Sequence, residues 1–478
     1  MTEVQDLAEF VHGASFSQLS ATTVEQLKIR VLDTMGIAIA ALDAPPLVAI
    51  RELTESLGGN GSSTLIGGGA SAPDRAAFYN IALSRYLDFM DSYLARGETN
   101  HPSDNIGAVL AAAESAQTRD EPTSGADFLT AVAVAYQVHT RLSDVAPVRA
   151  KGFDHTVQGA YAVAAAVSKA LGLSVEQTAN AIAISGTANN ALRVTRTGNL
   201  SNWKGLAYPQ VGKEGTFAAL LARAGITGPE EVFEGNKGFK ETIAGDFTID
   251  WSKEDLESVL RTIIKKHNAE IHSQSSIDAA IDIRSQSGFD ATRIAAVRIT
   301  TFQVAFDIIG GGEEGSKRVI RTKEEADHSL LYMVAAALLD GEVQPTTYAP
   351  ERIVRADVQE LLQNVTVTPD AGYSARFPNE MPSRVEVELT DGTVLTAETA
   401  SYKGFFTNPL DWTDALAKFS RLVTPFTGES LRDKIAETIH SLDTKPVTEL
   451  TRLLATVPLR RTQPKQRPAS TTKAGRRP

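Results

Sequence analysis

Cysteine is absent from all 478 residues. Its absence excludes disulfides, thiolate-bound iron–sulfur clusters and every zinc site that uses a Cys ligand. Long apolar runs are missing as well: the stretch at residues 161–167 is soon followed by Lys169, well short of the about 20 residues needed to cross a bilayer. No membrane partner is expected. Residues 1–9 are acidic and lack the cationic start and apolar middle of a secretory signal, so the expected location is cytoplasmic. Basic residues are in deficit, with a formal net charge of -11. Phosphate backbones attract basic surfaces, so no nucleic-acid partner is expected either. Nucleotide-binding glycine motifs are lacking, because Gly67, Gly68 and Gly69 have neither the dinucleotide spacing nor a Lys-Ser/Thr ending.

What is present is a globular composition, 42% hydrophobic and 22% charged. The length exceeds a single core, and two domains are expected. The first half reads as helices. Thr22 and Glu25 have capping-box spacing ahead of Leu27, Val31 and Met35, and Ser174 and Gln177 repeat the device. Gly172 closes the helix expected to begin near His155. Alanine is frequent between Ala108 and Ala188, and small side chains let helix axes approach, which predicts a bundle. Near Thr292 the pattern changes: Ile294, Val297, Ile299, Phe302 and Val304 read as strand up to Gly310, Gly311 and Gly312. Alternation at 384–389, a turn at Asp391-Gly392 and a return at 394–396 predict a β-hairpin. With a helix expected at 326–339, residues of about 270–400 read as a smaller α/β domain before a final helical return. Residues 460–478 hold seven basic and no acidic side chains without apolar periodicity, and disorder is expected there.

Four polar clusters could carry chemistry. In the first, Asp88 and Asp91 are three apart, which on a helix places them on one face, and His101 follows with Pro102, Ser103 and Asp104. Paired carboxylates near a histidine can exchange protons, although helix capping alone would account for Ser103 or Asp104. The second is Asp154-His155 at the start of an apolar helix, where the helix dipole would depress the imidazole pKa and favour an anion. The third gathers Arg193, Arg196 and Lys204. Arginine binds carboxylates bidentately and lysine places a compact charge where an enediolate oxygen develops, although a solvated helix face would look the same. The fourth, Lys265, Lys266, His267, Glu270 and His272, falls at the domain junction, where clefts bind ligands. The five-residue gap between His267 and His272 does not share a helix face, and the lysines repel cations, so no metal is expected.

Taken together, Leu87-Asp88-Phe89 with Asp91, His101-Pro102-Ser103, Gly152-Phe153-Asp154-His155, Trp203-Lys204-Gly205 and Asn268-Ala269-Glu270-Ile271-His272 resemble the MmgE/PrpD family, which includes 2-methylcitrate dehydratase and cis-aconitate decarboxylase. The resemblance runs in order from about residue 5 to residue 455, through Asp327-His328-Ser329 and Tyr332. It implies a mainly α fold with an α+β part. A large all-helical domain at 1–265 is completed by 405–455, a small α/β lid domain spans 266–404, and a basic tail follows at 456–478. A homodimer is implied too. Carried over by motif, the active-site positions are Asp88, His101, His155, Lys204, Lys265 or Lys266, and Tyr332. The decarboxylase branch has histidine where this chain has Glu270, and glycine after its His-Pro-Ser where this chain has Asp104-Asn105. Both departures favour a dehydratase.

The implied reaction is dehydration of a small tricarboxylate, 2-methylcitrate to 2-methyl-cis-aconitate and in addition citrate, with no cofactor. His101 or His155 would remove the proton, Lys204, Arg193 and Arg196 would stabilise the enediolate, and Tyr332 or the second histidine would assist hydroxide departure. Asp91, Lys265, Lys266, Glu270 and His272 complete the expected substrate-binding set. Decarboxylation of cis-aconitate, isomerisation of a related polycarboxylate and a non-catalytic helical scaffold are the alternatives.

Overall fold

A computed structural model describes residues 2–58, 61–116, 122–198 and 200–459. The basic segment at 460–478 lies outside the described residues. The protein is mainly helical with small sheets.

Apolar side chains divide between two main cores. The larger runs from Val4 to Ile264 and resumes from Leu410 to Val457, so both ends of the chain build it. The helix Trp412–Val423 returns across Ala21–Ala40, where Phe419 lies so close to Gly36 that a Cβ there would sit 2.9 Å from its ring. Small residues bring the central helices together as the alanine content predicts. At Gly159, within Thr156–Ala170, a Cβ would lie 2.5 Å from the ring of Tyr208 on Trp203–Arg223, so only glycine admits that approach. Among the described residues no single helix is long and apolar enough to cross a membrane.

The smaller core lies between Ala269 and Leu389. Its sheet orders the strands Val365–Pro369, Ile294–Thr301, Ser383–Leu389 and Val394–Thr399. Val297 pairs in parallel with Val365 and antiparallel with Val387, and Val385 pairs with Ala397 in the hairpin. Ser383, Val385, Val387 and Leu389 are all buried, the period-two face on which Gln274–Arg284 packs, and Leu330–Asp340 packs against that helix and the strand Val365–Pro369. A third, minor cluster joins the domains: Leu94 and Ile263 from the body meet Ile271, Phe302, Met381 and Phe405.

Three local expectations need correction. Ser20, not Thr22, caps Ala21–Ala40, accepting the Thr23 N–H at 3.2 Å. The first strand of the smaller domain ends at Thr301, and Gln303–Ala305 already turns as helix, so Phe302 and Val304 are not strand residues. Asp88 and Asp91 share no helix face, because Pro73–Tyr86 ends before them and Asp88 has φ 54, in the left-handed region.

Candidate active site

The turn at Asp88 is held by residues from the domain junction. Lys265 Nζ donates to the Asp88 carbonyl at 2.6 Å and stands 3.3 Å from Oδ1, and Asn268 donates to the Leu87 carbonyl at 2.6 Å. These tertiary bonds offset a conformation that a non-glycine residue adopts at a cost of about 1–3 kcal/mol. The chain then forms a short hairpin, Tyr93–Ala95 with Glu98–Asn100, and delivers His101 at its end. His101 Nδ1 donates to the Asp91 carbonyl at 2.8 Å. A carbonyl can only accept, so the proton sits on Nδ1 and Nε2 carries the lone pair.

His155 precedes the first turn of Thr156–Ala170. Asp154 beside it accepts from Thr156 N–H at 3.1 Å and Arg196 Nε at 2.6 Å, and lies 3.3 Å from His155 Nδ1. That carboxylate favours a proton on Nδ1 and again leaves Nε2 free; Nε2 is buried without a hydrogen-bond partner among the described residues. Burial holds both imidazoles well below the ordinary histidine pKa, assisted at His101 by Arg85 and Lys265 and at His155 by Arg196 and Arg85. The lowering expected at His155 is therefore present, but burial and arginines cause it ahead of any helix dipole. Both rings are neutral bases near pH 7.

Lys204, in the first turn of Trp203–Arg223, reaches across to the smaller domain: Nζ lies 3.3 Å from Asp327 Oδ1, 3.0 Å from His328 Nδ1 and 3.7 Å from Asp88 Oδ2. Asp88, Asp327 and His328 have the spacing of a small metal site. The Lys204 ammonium already stands among them as the cation, so that donor set does not fit an added ion. Burial would raise Asp88, yet Lys265, Lys204 and His328 hold its carboxyl well below the usual range.

These groups line one cleft between the helical body and the smaller α/β part. Its wall includes Asp88, His101, His155, Lys204, Lys265 and Arg196, and also Arg193, Glu270 and His272. Nine of the twelve residues expected from the sequence are thus brought together. Glu270 receives His272 Nδ1 at 2.7 Å; burial would raise its carboxyl, but His272 and then His328 and Lys265 bring it down to about 2. His272 is wedged against the rings of Phe302 and Phe377, and its Nε2 is buried without a hydrogen-bond partner among the described residues.

The other three expected residues do not line the cavity. Tyr332 lies in the core of the smaller domain, where its hydroxyl donates to the Thr347 carbonyl at 2.6 Å and burial pushes it up to about 12. Asp91 is a buttress beneath the wall: it accepts from Ser103 N–H at 3.1 Å and Tyr136 Oη at 2.7 Å, fixing the turn that carries His101. Lys266 faces outward and pairs with Asp278 at 2.8 Å, as does His267 at 2.6 Å. Sequence reasoning missed Arg85, Arg149, Glu314 and His328, all on the wall. His328 had a signal in Asp327-His328-Ser329. Arg85 and Arg149 had none beyond their charge.

A helical core, a smaller α/β core and a cleft between them lined by cations and neutral imidazoles make a site whose groups suit binding a small polyanion and moving its proton. The chain belongs to the MmgE/PrpD family. Its residues 5–252 match the MmgE/PrpD N-terminal domain and 267–444 the MmgE/PrpD C-terminal domain. It is 27% identical over 425 residues to the mitochondrial 2-methylcitrate dehydratase of Yarrowia lipolytica, covering 84% of this chain and 79% of that protein. To the 2-methylcitrate dehydratase of Escherichia coli it is 26% identical, covering 82% and 83%. The cis-aconitate decarboxylase of Mus musculus is 26% identical, covering 94% and 93%.

Proposed function

We propose that this chain is a carbon–oxygen lyase that dehydrates 2-methylcitrate to 2-methyl-cis-aconitate. The observation that carries the reading is the pair of neutral imidazoles, with centroids 5.4 Å apart, on a wall with six cationic side chains and four carboxylates. A C–H bond beside a carboxylate is a weak acid, and its proton leaves readily only when the developing enediolate charge is neutralised. Nε2 of His101 or His155 takes the proton, while Lys204 and the arginines meet the charge.

The electron pair left on carbon forms the new double bond as the C–O bond breaks. The departing hydroxyl needs a proton. Glu270 accepts from His272 Nδ1 at 2.7 Å and orients that ring, which makes His272 the group to deliver the proton, and the hydroxyl leaves as water. The body then supplies the base and the junction the acid. Names of several relatives support the same reaction.

Decarboxylation of cis-aconitate is the second reading, favoured by the coverage of the mouse relative. It needs a carbanion sink and a proton donor but no acid for a leaving hydroxyl, which leaves the Glu270–His272 pair without its leaving-group role. The test is to incubate the purified protein with each compound. An unsaturated product absorbing in the ultraviolet from 2-methylcitrate supports dehydration, whereas itaconate and carbon dioxide from cis-aconitate, with 2-methylcitrate untouched, reverses the assignment.

A further inference from the structure

Each cation on the cavity wall is answered by a carboxylate, but the chain holds the answering groups in different ways. Arg85 pairs with Asp104 at 3.3 Å and Arg196 with Asp154 at 2.6 Å; both carboxylates are buried within the helical body. Arg149 and Arg193 are paired from across the cleft. Their Nη2 atoms donate to one oxygen of Glu314, at 3.3 and 2.7 Å.

The turns that carry the two arginines are fixed to the body by backbone bonds that do not involve Glu314. Arg193 N–H donates to the Gly152 carbonyl at 2.9 Å, and Phe153 bridges Leu192, which ties the Arg149–Lys151 turn to the Arg193–Arg196 turn. Glu314 itself stands on a loop between Gly311 and Gly315, whose φ values of 104 and 89 suit glycine alone. The loop closes on itself, with Glu314 N–H to the Asp307 carbonyl at 2.9 Å and Gly315 N–H to the Gly312 carbonyl at 3.0 Å. A fork of two arginines around one carboxylate oxygen is the arrangement that a substrate carboxylate would itself take.

We propose that Arg149 and Arg193 form the subsite for the third carboxylate of the substrate, and that Glu314 occupies this subsite in the empty site and is displaced on binding. This rests on the reading of the cleft as a tricarboxylate site. Displacement opposes binding of any ligand that needs the fork and is not required by a ligand that does not. Glu314 therefore sets how strongly tricarboxylates are preferred over dicarboxylates.

The test uses the full-length protein and two unreactive probes, tricarballylate with three carboxylates and glutarate with two, titrated by calorimetry. Glu314→Gln is expected to bind tricarballylate about 10-fold more tightly, a gain of the size of one charge-assisted contact, and glutarate within about 2-fold of the unaltered protein. Glu314→Ser repeats the measurement should the first variant fold poorly. Weaker or unchanged tricarballylate binding overturns the proposal, as does an equal gain for both probes, which is general relief of repulsion. Failure of the function is read separately: tighter tricarballylate binding without turnover of 2-methylcitrate sinks the dehydratase reading and leaves this subsite standing.

Discussion

The imidazole of His155 meets that of His101 edge to face, with ring centroids 5.4 Å apart and ring planes at 78°. The two residues arrive from a hairpin end and a helix start that lie far apart in the chain. Burial keeps both rings neutral near pH 7, and protonating one raises the cost of protonating the other.

His101→Gln and His155→Gln should each lower kcat by about 100- to 10,000-fold, the range for loss of a general base or its partner. Because both rings titrate well below 6.5, the acid limb of the kcat/KM profile should lie below that pH. A pH–rate profile that falls through 6.5, or a variant of either residue with unaltered kcat, contradicts the assignment of bases.

The same burial makes stability depend on pH. His101, His139 and His155 stay neutral in the fold, His139 down to about 3, while in the unfolded chain they gain protons as pH drops below 6.5. More protons bound to the unfolded chain means that stability falls as pH falls. Asp104 acts oppositely: burial raises its carboxyl to about 7, so its contribution is lost as pH rises from 3.8 to 7. Burial raises Asp33 and Glu98 as well, but His267 and His328 are also lowered, so five histidines outnumber three carboxyls, and each excess proton changes stability by about 1.4 kcal/mol per pH unit. Thermal melting should therefore move to lower temperature on acidification from pH 6.5 to 4; a constant midpoint would count against neutral buried imidazoles.

Lys204 bridges Asp88 and Asp327, sharing the first with Lys265 and the second with Lys323. Lys204→Met should abolish turnover and also destabilise the fold by about 1–3 kcal/mol, because two buried carboxylates each lose one of their cations while keeping Lys265 and Lys323. Adding Asp327→Asn should restore at least half of the lost stability without restoring activity. Denaturant melts of the single and double variants decide this, and equal stabilities would show that the two residues do not act as a pair.

Tyr332→Phe should retain kcat within about 2-fold, because the hydroxyl serves the Thr347 carbonyl and not the cavity. Its cost should appear in stability, at about 1–3 kcal/mol for an unsatisfied buried carbonyl. Loss of turnover without loss of stability would return Tyr332 to the chemistry.

Local pattern carried much of the architecture. Ser174 and Gln177 form the capping box that their spacing predicts, and the hairpin around Asp391-Gly392 pairs as its alternation requires. Such signals depend on neighbours a few residues away, so they survive in one dimension. The Thr22 cap failed for a local reason too: Ser20 offers a competing hydroxyl two residues earlier.

By itself, the sequence determined the absence of thiolate chemistry, a helical half followed by a mixed one, and a supply of arginine, lysine and histidine in ordered motifs. Only the tertiary structure decided which of those groups share a cavity. Asp88 turns into it and Asp91 away because Lys265 and Asn268, nearly 180 positions later, hold the left-handed turn between them. Tyr332 is withdrawn by the Thr347 carbonyl, and Glu314 is drawn in by two arginines of the other domain. Where a side chain points at such places depends on hydrogen bonds between distant segments, and these exist only once the chain has folded.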